Sequence, residues 1–349
     1  MRRRHLLTAI SASTAGLAGC SGLLGSGSDN EGTTTTRPTA TTAPTTTASP
    51  VQSAIGEARA ELGEAFAHFE EYDMVENGEP SLGRENVSGF GRRPASDPAA
   101  VARSVLEEVR DGASGDQADR VAALTTLADY TTEKADQYLY LAAGQIALYK
   151  YKAAFAADDE GYSAVRDQAR NAQRYFRRAG SYGSTAMTVL GEVASAPALP
   201  QVEGFVVDRE QTEQEVLETQ CPLLRTTATA FANHAEGLAL IEEGSTAYEN
   251  EEYELAAARY ATATAVMNDA DERIGTVRER GATYHGRFIA LVDCQTGDLA
   301  EGLAFMYEAA NAQADGNPER ADRLERRARE LFRSVQERCF TDDTGTTPG

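Results

Sequence analysis

The stretch GLALIEEGSTAYENEEYELAAARYATA, residues 237–263, decides the fold. Its Leu240, Gly244, Ala247 and Tyr248 recur at intervals of three and four, as do Tyr253, Ala256, Tyr260 and Ala263 after a short polar break. Such intervals put side chains on one face of a helix, whereas a strand repeats every second residue. The same spacing governs the chain from Val51 onward, so the sequence predicts an all-α protein.

Small residues and tyrosines in this order resemble one tetratricopeptide repeat, a unit of about 34 residues. The resemblance implies two antiparallel helices that approach closely at the small positions, aromatics that fill the gaps toward the next pair, and a surface used for binding. Glu243 stands where that pattern prefers Leu, and Asn268 where it prefers Pro. A weaker second unit runs from Gly302 to Val335, with Ala309, Ala312, Ala321 and Ala328 in small positions, Asn317-Pro318 at the turn, and Glu325 in place of an aromatic. Any packed helical hairpin uses Ala and Tyr in this way, so repeat and generic hairpin both stay open. Either way, residues 208–340 form a C-terminal region of helical hairpins with Tyr248, Tyr253 and Tyr260 as candidate binding side chains.

Toward the N-terminus, Asp208 caps a helix that Cys221-Pro222 should kink or restart. Pro197, Pro200 and Gly204 mark a linker over residues 197–207, in which Phe205-Val206-Val207 is the candidate strand. The N-terminal helical region, 51–196, begins with a stripe of Leu62, Phe66, Phe69 and Tyr72 and continues into a long loop, 75–96. Asp97-Pro98 reads as an N-cap with proline at the first helical position. Helical patterning then runs from Asp116 to Ala157 with a break near Thr131-Thr132, from Tyr162 to Ala179, and over a short helix from Ser184 to Ala194. Residues 341–349 read as a disordered tail.

The long loop holds Arg84, Arg92 and Arg93, a basic island that is a candidate binding site. The alternative is that these arginines pair with acids of neighbouring helices. The same loop carries Asn86-Val87-Ser88, a glycosylation sequon at Asn86.

Before the helices stands a different kind of sequence. Residues 20–50 are small and polar, with Thr33 to Thr36 and Thr45 to Thr47 in runs and Pro38, Pro44 and Pro50 between them. Such a segment reads as a flexible stalk, which as a coil spans on the order of 30 Å. Residues 1–19 read as a signal peptide: Arg3 and Arg4 followed by Leu6 and Leu7 fit the twin-arginine export pattern. Leu17-Ala18-Gly19-Cys20 resembles the lipobox of bacterial and archaeal lipoproteins. That resemblance implies a thioether-linked lipid on Cys20 and a place on the extracytoplasmic face of the membrane, held through the lipid alone.

The chain has 54 acidic against 33 basic residues and a formal net charge of -21, which disfavours nucleic acid and anionic surfaces as partners. Its lysines are Lys134, Lys150 and Lys152. Abundant carboxylates with few lysines resemble the proteins of halophilic prokaryotes, haloarchaea above all; an acidic surface in a GC-rich organism is the alternative.

Of the cysteines after Cys20, an antiparallel hairpin of residues 299–314 and 317–339 would bring Cys294 beside Cys339, so these are expected to form a disulfide. Cys221 would remain a buried free thiol. No histidine pair or CxxC has metal-ligand spacing, so neither metal nor cofactor is expected. No nucleophile elbow, Walker loop or dinucleotide fingerprint is present, and no catalytic residue is assigned. The function expected is a tethered helical scaffold for a protein or peptide partner. A solute-binding or transporter-accessory subunit is the alternative, and a cell-envelope hydrolase using acids or His68 the third.

Overall fold

The structure, a computed structural model, describes residues 49–340 apart from 77–78, 84–86, 158–160 and 282–284. The export signal, the lipobox with Cys20, the stalk up to residue 48, Arg84, Asn86 and the tail all lie outside the described residues, while Pro50, expected in the stalk, opens the first helix.

The protein is all-α and repeat-like. Eight helices among the described residues follow in chain order: α1 (Pro50–Glu71), α2 (Arg93–Val109), α3 (Asp116–Ala157), α4 (Tyr162–Ser195), α5 (Val207–Glu249), α6 (Tyr253–Glu279), α7 (Gly286–Ala314) and α8 (Pro318–Phe340). From α3 to α8 each packs on the next, while α1 and α2 pack on each other and on α3. Two strands of two residues, β1 (Val75–Glu76) and β2 (Glu79–Pro80), pair antiparallel between α1 and α2.

Local chemistry starts the first helix. Ser49 accepts the Gln52 amide at 3.2 Å and Pro50 takes the first helical position, where its missing N–H costs nothing. Val51, Ile55, Ala58, Leu62, Phe66 and Phe69 then form the buried stripe.

Tertiary packing overrides several local signals. α2 begins at Arg93, one turn before the predicted Asp97-Pro98 start, because Pro94 already occupies an early position that needs no donor; Pro98 lies inside the helix. α3 runs unbroken through Thr131-Thr132, whose hydroxyls donate back to the Leu127 and Ala128 carbonyls at 2.8 and 3.0 Å. The expected separate helices around Ala179 and Ser184 are one helix, α4. α5 passes Pro222 without restarting, with the proline ring on its exposed side. Phe205-Val206-Val207 forms no strand: Val207 opens α5, and Phe205 packs on Phe66 with ring centroids 5.0 Å apart.

Residues 197–207 therefore join α4 to α5 inside one core rather than dividing two. One hydrophobic cluster spans α1 to the middle of α5 together with Ile274 and Val277 at the end of α6 and Ile289 and Val292 at the start of α7, and a second joins the rest of α5, α6 and α7 to α8. Phe155 touches both. The C-terminal hairpins close as the small residues predict. A Cβ on Gly244 of α5 would lie 2.8 Å from the Tyr260 ring of α6, and one on Gly302 of α7 would overlap Phe332 of α8. The helices of the first hairpin run 43 and 27 residues, longer than a unit of about 34 residues accommodates. Cys294 and Cys339 are joined as a disulfide that ties α7 to α8. No helix among the described residues is long and apolar enough to cross a membrane.

Candidate functional site

Where α1 ends, the β1–β2 hairpin and the first turns of α5 enclose a cleft of about 430 Å³ over α3. Its floor is built from a buried lysine. Lys134 lies on the same face of α3 as Tyr130 and Tyr138, one helical turn from each, which places it on the core stripe. Glu210 and Glu213 face it from α5, three residues apart and so on one face of that helix.

Lys134 Nζ donates to Glu210 Oε2 at 2.6 Å and to Glu213 Oε2 at 2.9 Å. The Tyr130 hydroxyl donates to Glu210 at 2.6 Å, and the Tyr138 hydroxyl to Glu213 at 2.6 Å. The ammonium also stands 4.7 Å from the Phe69 ring centroid and 5.3 Å from that of Tyr138. Burial alone would push the ammonium's pKa down, but the two carboxylates more than reverse this and raise it. Burial and the adjoining carboxylates hold both tyrosine hydroxyls well above their usual range. Desolvation also raises Glu213, against the pull of Lys134. Lysine is thus kept charged and both phenols protonated, an arrangement for holding charge and unsuited to a nucleophile.

The walls are acidic. Glu70, Asp73, Glu76 and Glu213 line the cleft against Lys134 and Arg209, beside the apolar Phe69 and Val75. Arg209 donates to Glu70 at 2.8 Å and to the Gly204 carbonyl at 2.5 Å, and its guanidinium lies 3.6 Å from Glu210. Gly204 has φ +74, and a Cβ there would lie 3.0 Å from the Phe66 Cβ, so the turn that positions Arg209 needs glycine. Carboxylates outnumber cations in the lining four to two, so the space favours a positively charged group.

The residues singled out from sequence lie elsewhere. Arg92 forms a two-pronged pair with Asp136 at 2.6 and 3.0 Å, the alternative weighed for that basic island, and Arg93 is exposed at the start of α2. His68 packs between Tyr72 and Phe90 and bonds the Gly91 carbonyl at 2.9 Å. It holds the loop in place and does not line the cleft. Tyr260 is buried at 1% exposure and cannot belong to a binding face, while Tyr248, packed against the second cluster, meets Tyr253 edge to face at 5.4 Å. Cys221 is buried, and burial pushes its thiol up to about 12. Among the described residues no three of His, Cys, Asp and Glu converge as metal ligands.

The sequence reading missed Lys134, Glu210 and Glu213. The available signal was a lysine between two tyrosines on an apolar stripe, one of three lysines in a chain whose other basic residues are arginines. No protein-family model, curated protein or solved structure matches this chain.

Proposed function

We propose that this chain is a binding protein of the cell exterior, exported by its arginine pair, tethered by a lipid on Cys20, and stable in concentrated salt. Its helical array presents the acidic cleft to a basic segment of a partner protein. The observation that carries this reading is the charge arrangement: Glu70, Asp73 and Glu76 stand over a floor in which Lys134 is already shared by Glu210 and Glu213. An incoming Lys or Arg side chain finds carboxylates for its head and Phe69 and Val75 for its stem. The exposed Glu76 on β1 makes the most conservative test. Capture from native membranes with the wild-type lipoprotein should return a partner with an exposed basic segment, and Glu76→Lys should lose it. Identical recovery with both proteins would count against the cleft.

A second reading is favoured by the volume of about 430 Å³, which lies within the range of small-molecule sites. A small cationic solute such as agmatine would then occupy the same space. Thermal stabilisation by agmatine, and none by basic peptides, would select this reading.

A further inference from the structure

A second cleft of about 360 Å³ lies between α3, α4 and α5 and shares no lining residue with the first. At its inner end sits Gln137, with 0% exposure, and neither its Nε2 nor its Oε1 has a hydrogen-bond partner among the described residues. Buried amides without partners are rare because losing hydration uncompensated is unfavourable, and a leucine would fill the same space without that cost. α4 makes room for the amide: a Cβ on Gly183 would lie 2.5 Å from Gln137 Nε2. The α5 wall contributes a second opening in the hydrogen-bond ladder. Pro222 has no N–H, so the Glu218 carbonyl four residues earlier lacks its helical donor, and both residues line the cleft.

The mouth carries Arg177 and Arg225, which are exposed and unpaired among the described residues, although the chain is acidic almost everywhere else. Phe176, Leu217 and Cys221 give the interior an apolar surface. A ligand that fits all three features has a carboxylate for the arginines, an amide for Gln137 and an apolar side chain between them.

We propose that this cleft binds a small N-acylated amino acid, the class that includes dipeptides. The ligand amide's carbonyl accepts from Gln137 Nε2, its carboxylate meets Arg177 and Arg225, and its side chain rests on Phe176 and Leu217. The volume suits one such molecule.

The test is calorimetric titration of a soluble Cys20→Ser variant, at the lowest salt in which it stays folded, with three probes. N-acetylleucine should bind saturably. 4-Methylpentanoate, which lacks the amide, and N-acetylleucinamide, which lacks the carboxylate, should each bind at least about tenfold more weakly. Gln137→Leu should abolish binding with the melting temperature unchanged or raised, and Arg225→Gln, at an exposed position, should weaken it by at least about tenfold. Glu76→Lys should leave it unaltered, which separates this site from the acidic cleft. No saturable N-acetylleucine binding, equal binding of all three probes, or undiminished binding by Gln137→Leu or Arg225→Gln would overturn the proposal and leave the cleft to water.

Discussion

Lys134 Nζ stands 2.6 Å from Glu210 Oε2, and both side chains are sealed from solvent, at 1% and 0% exposure. Removing one partner of a buried ion pair strands the other charge in a medium that solvates it poorly. Lys134→Met should therefore destabilise the protein by roughly 3–5 kcal/mol in chemical denaturation. The triple variant Lys134→Met, Glu210→Gln, Glu213→Gln should recover much of that loss. A Lys134→Met variant of wild-type stability would mean that the network does not hold α3 to α5.

A buried histidine makes stability depend on acid. Burial lowers His234 to about 4, against the opposing bond to Gln295, and burial with the nearby Lys152 lowers His285 to about 3. Both folded values lie below the unfolded value near 6.5, so the unfolded chain binds more protons as pH falls through that window. Their contribution is complete above pH 6.5 and is lost as pH falls, toward about 4 for His234 and about 3 for His285. For His234, at 0% exposure, the loss is on the order of 3 kcal/mol. Urea denaturation at neutral and acidic pH should show a shallower fall in His234→Gln than in wild type. Parallel curves would contradict this.

The Cys294–Cys339 bridge closes a sequence separation of 45. A loop of that size restricts the unfolded chain enough that Cys294→Ser with Cys339→Ser should cost roughly 2–4 kcal/mol. The comparison of denaturation midpoints in wild type and double variant measures it. Cys221, buried at 2% exposure with its thiol pushed up to about 12, should resist iodoacetamide in the folded Cys20→Ser protein and react once it is denatured.

With a formal charge of -21, folding brings like charges together. Raising potassium chloride from about 0.1 M to about 1 M shortens the screening length from about 10 Å to about 3 Å. The melting temperature should rise over that range. A flat response would remove the argument for a saline environment and leave the composition to other causes.

Helical periodicity made the all-α class legible, because burying one face of a helix forces intervals of three and four whatever the loops do. The hairpin geometry that suggested joining Cys294 to Cys339 is the geometry observed. Helix ends were less legible: Thr131, Ser184 and Pro222 are local breakers, but each sits in a helix held on its flanks by long neighbours. The site was the least legible part. Glu210 and Glu213 are two among 54 acids, and their partner lies 76 residues away from Glu210. Arg92 was conspicuous in sequence, yet the residue that takes it up, Asp136, lies 44 residues further along on α3.

Titration of acetyl-Gly-Arg-Gly-amide into the folded Cys20→Ser protein, beside its Glu76→Lys variant, tests the acidic cleft most directly. Saturable binding by the first protein, weakened at least about tenfold in the second with melting temperature unchanged, is the predicted result. Absence of binding, or equal affinity in both proteins, would contradict it.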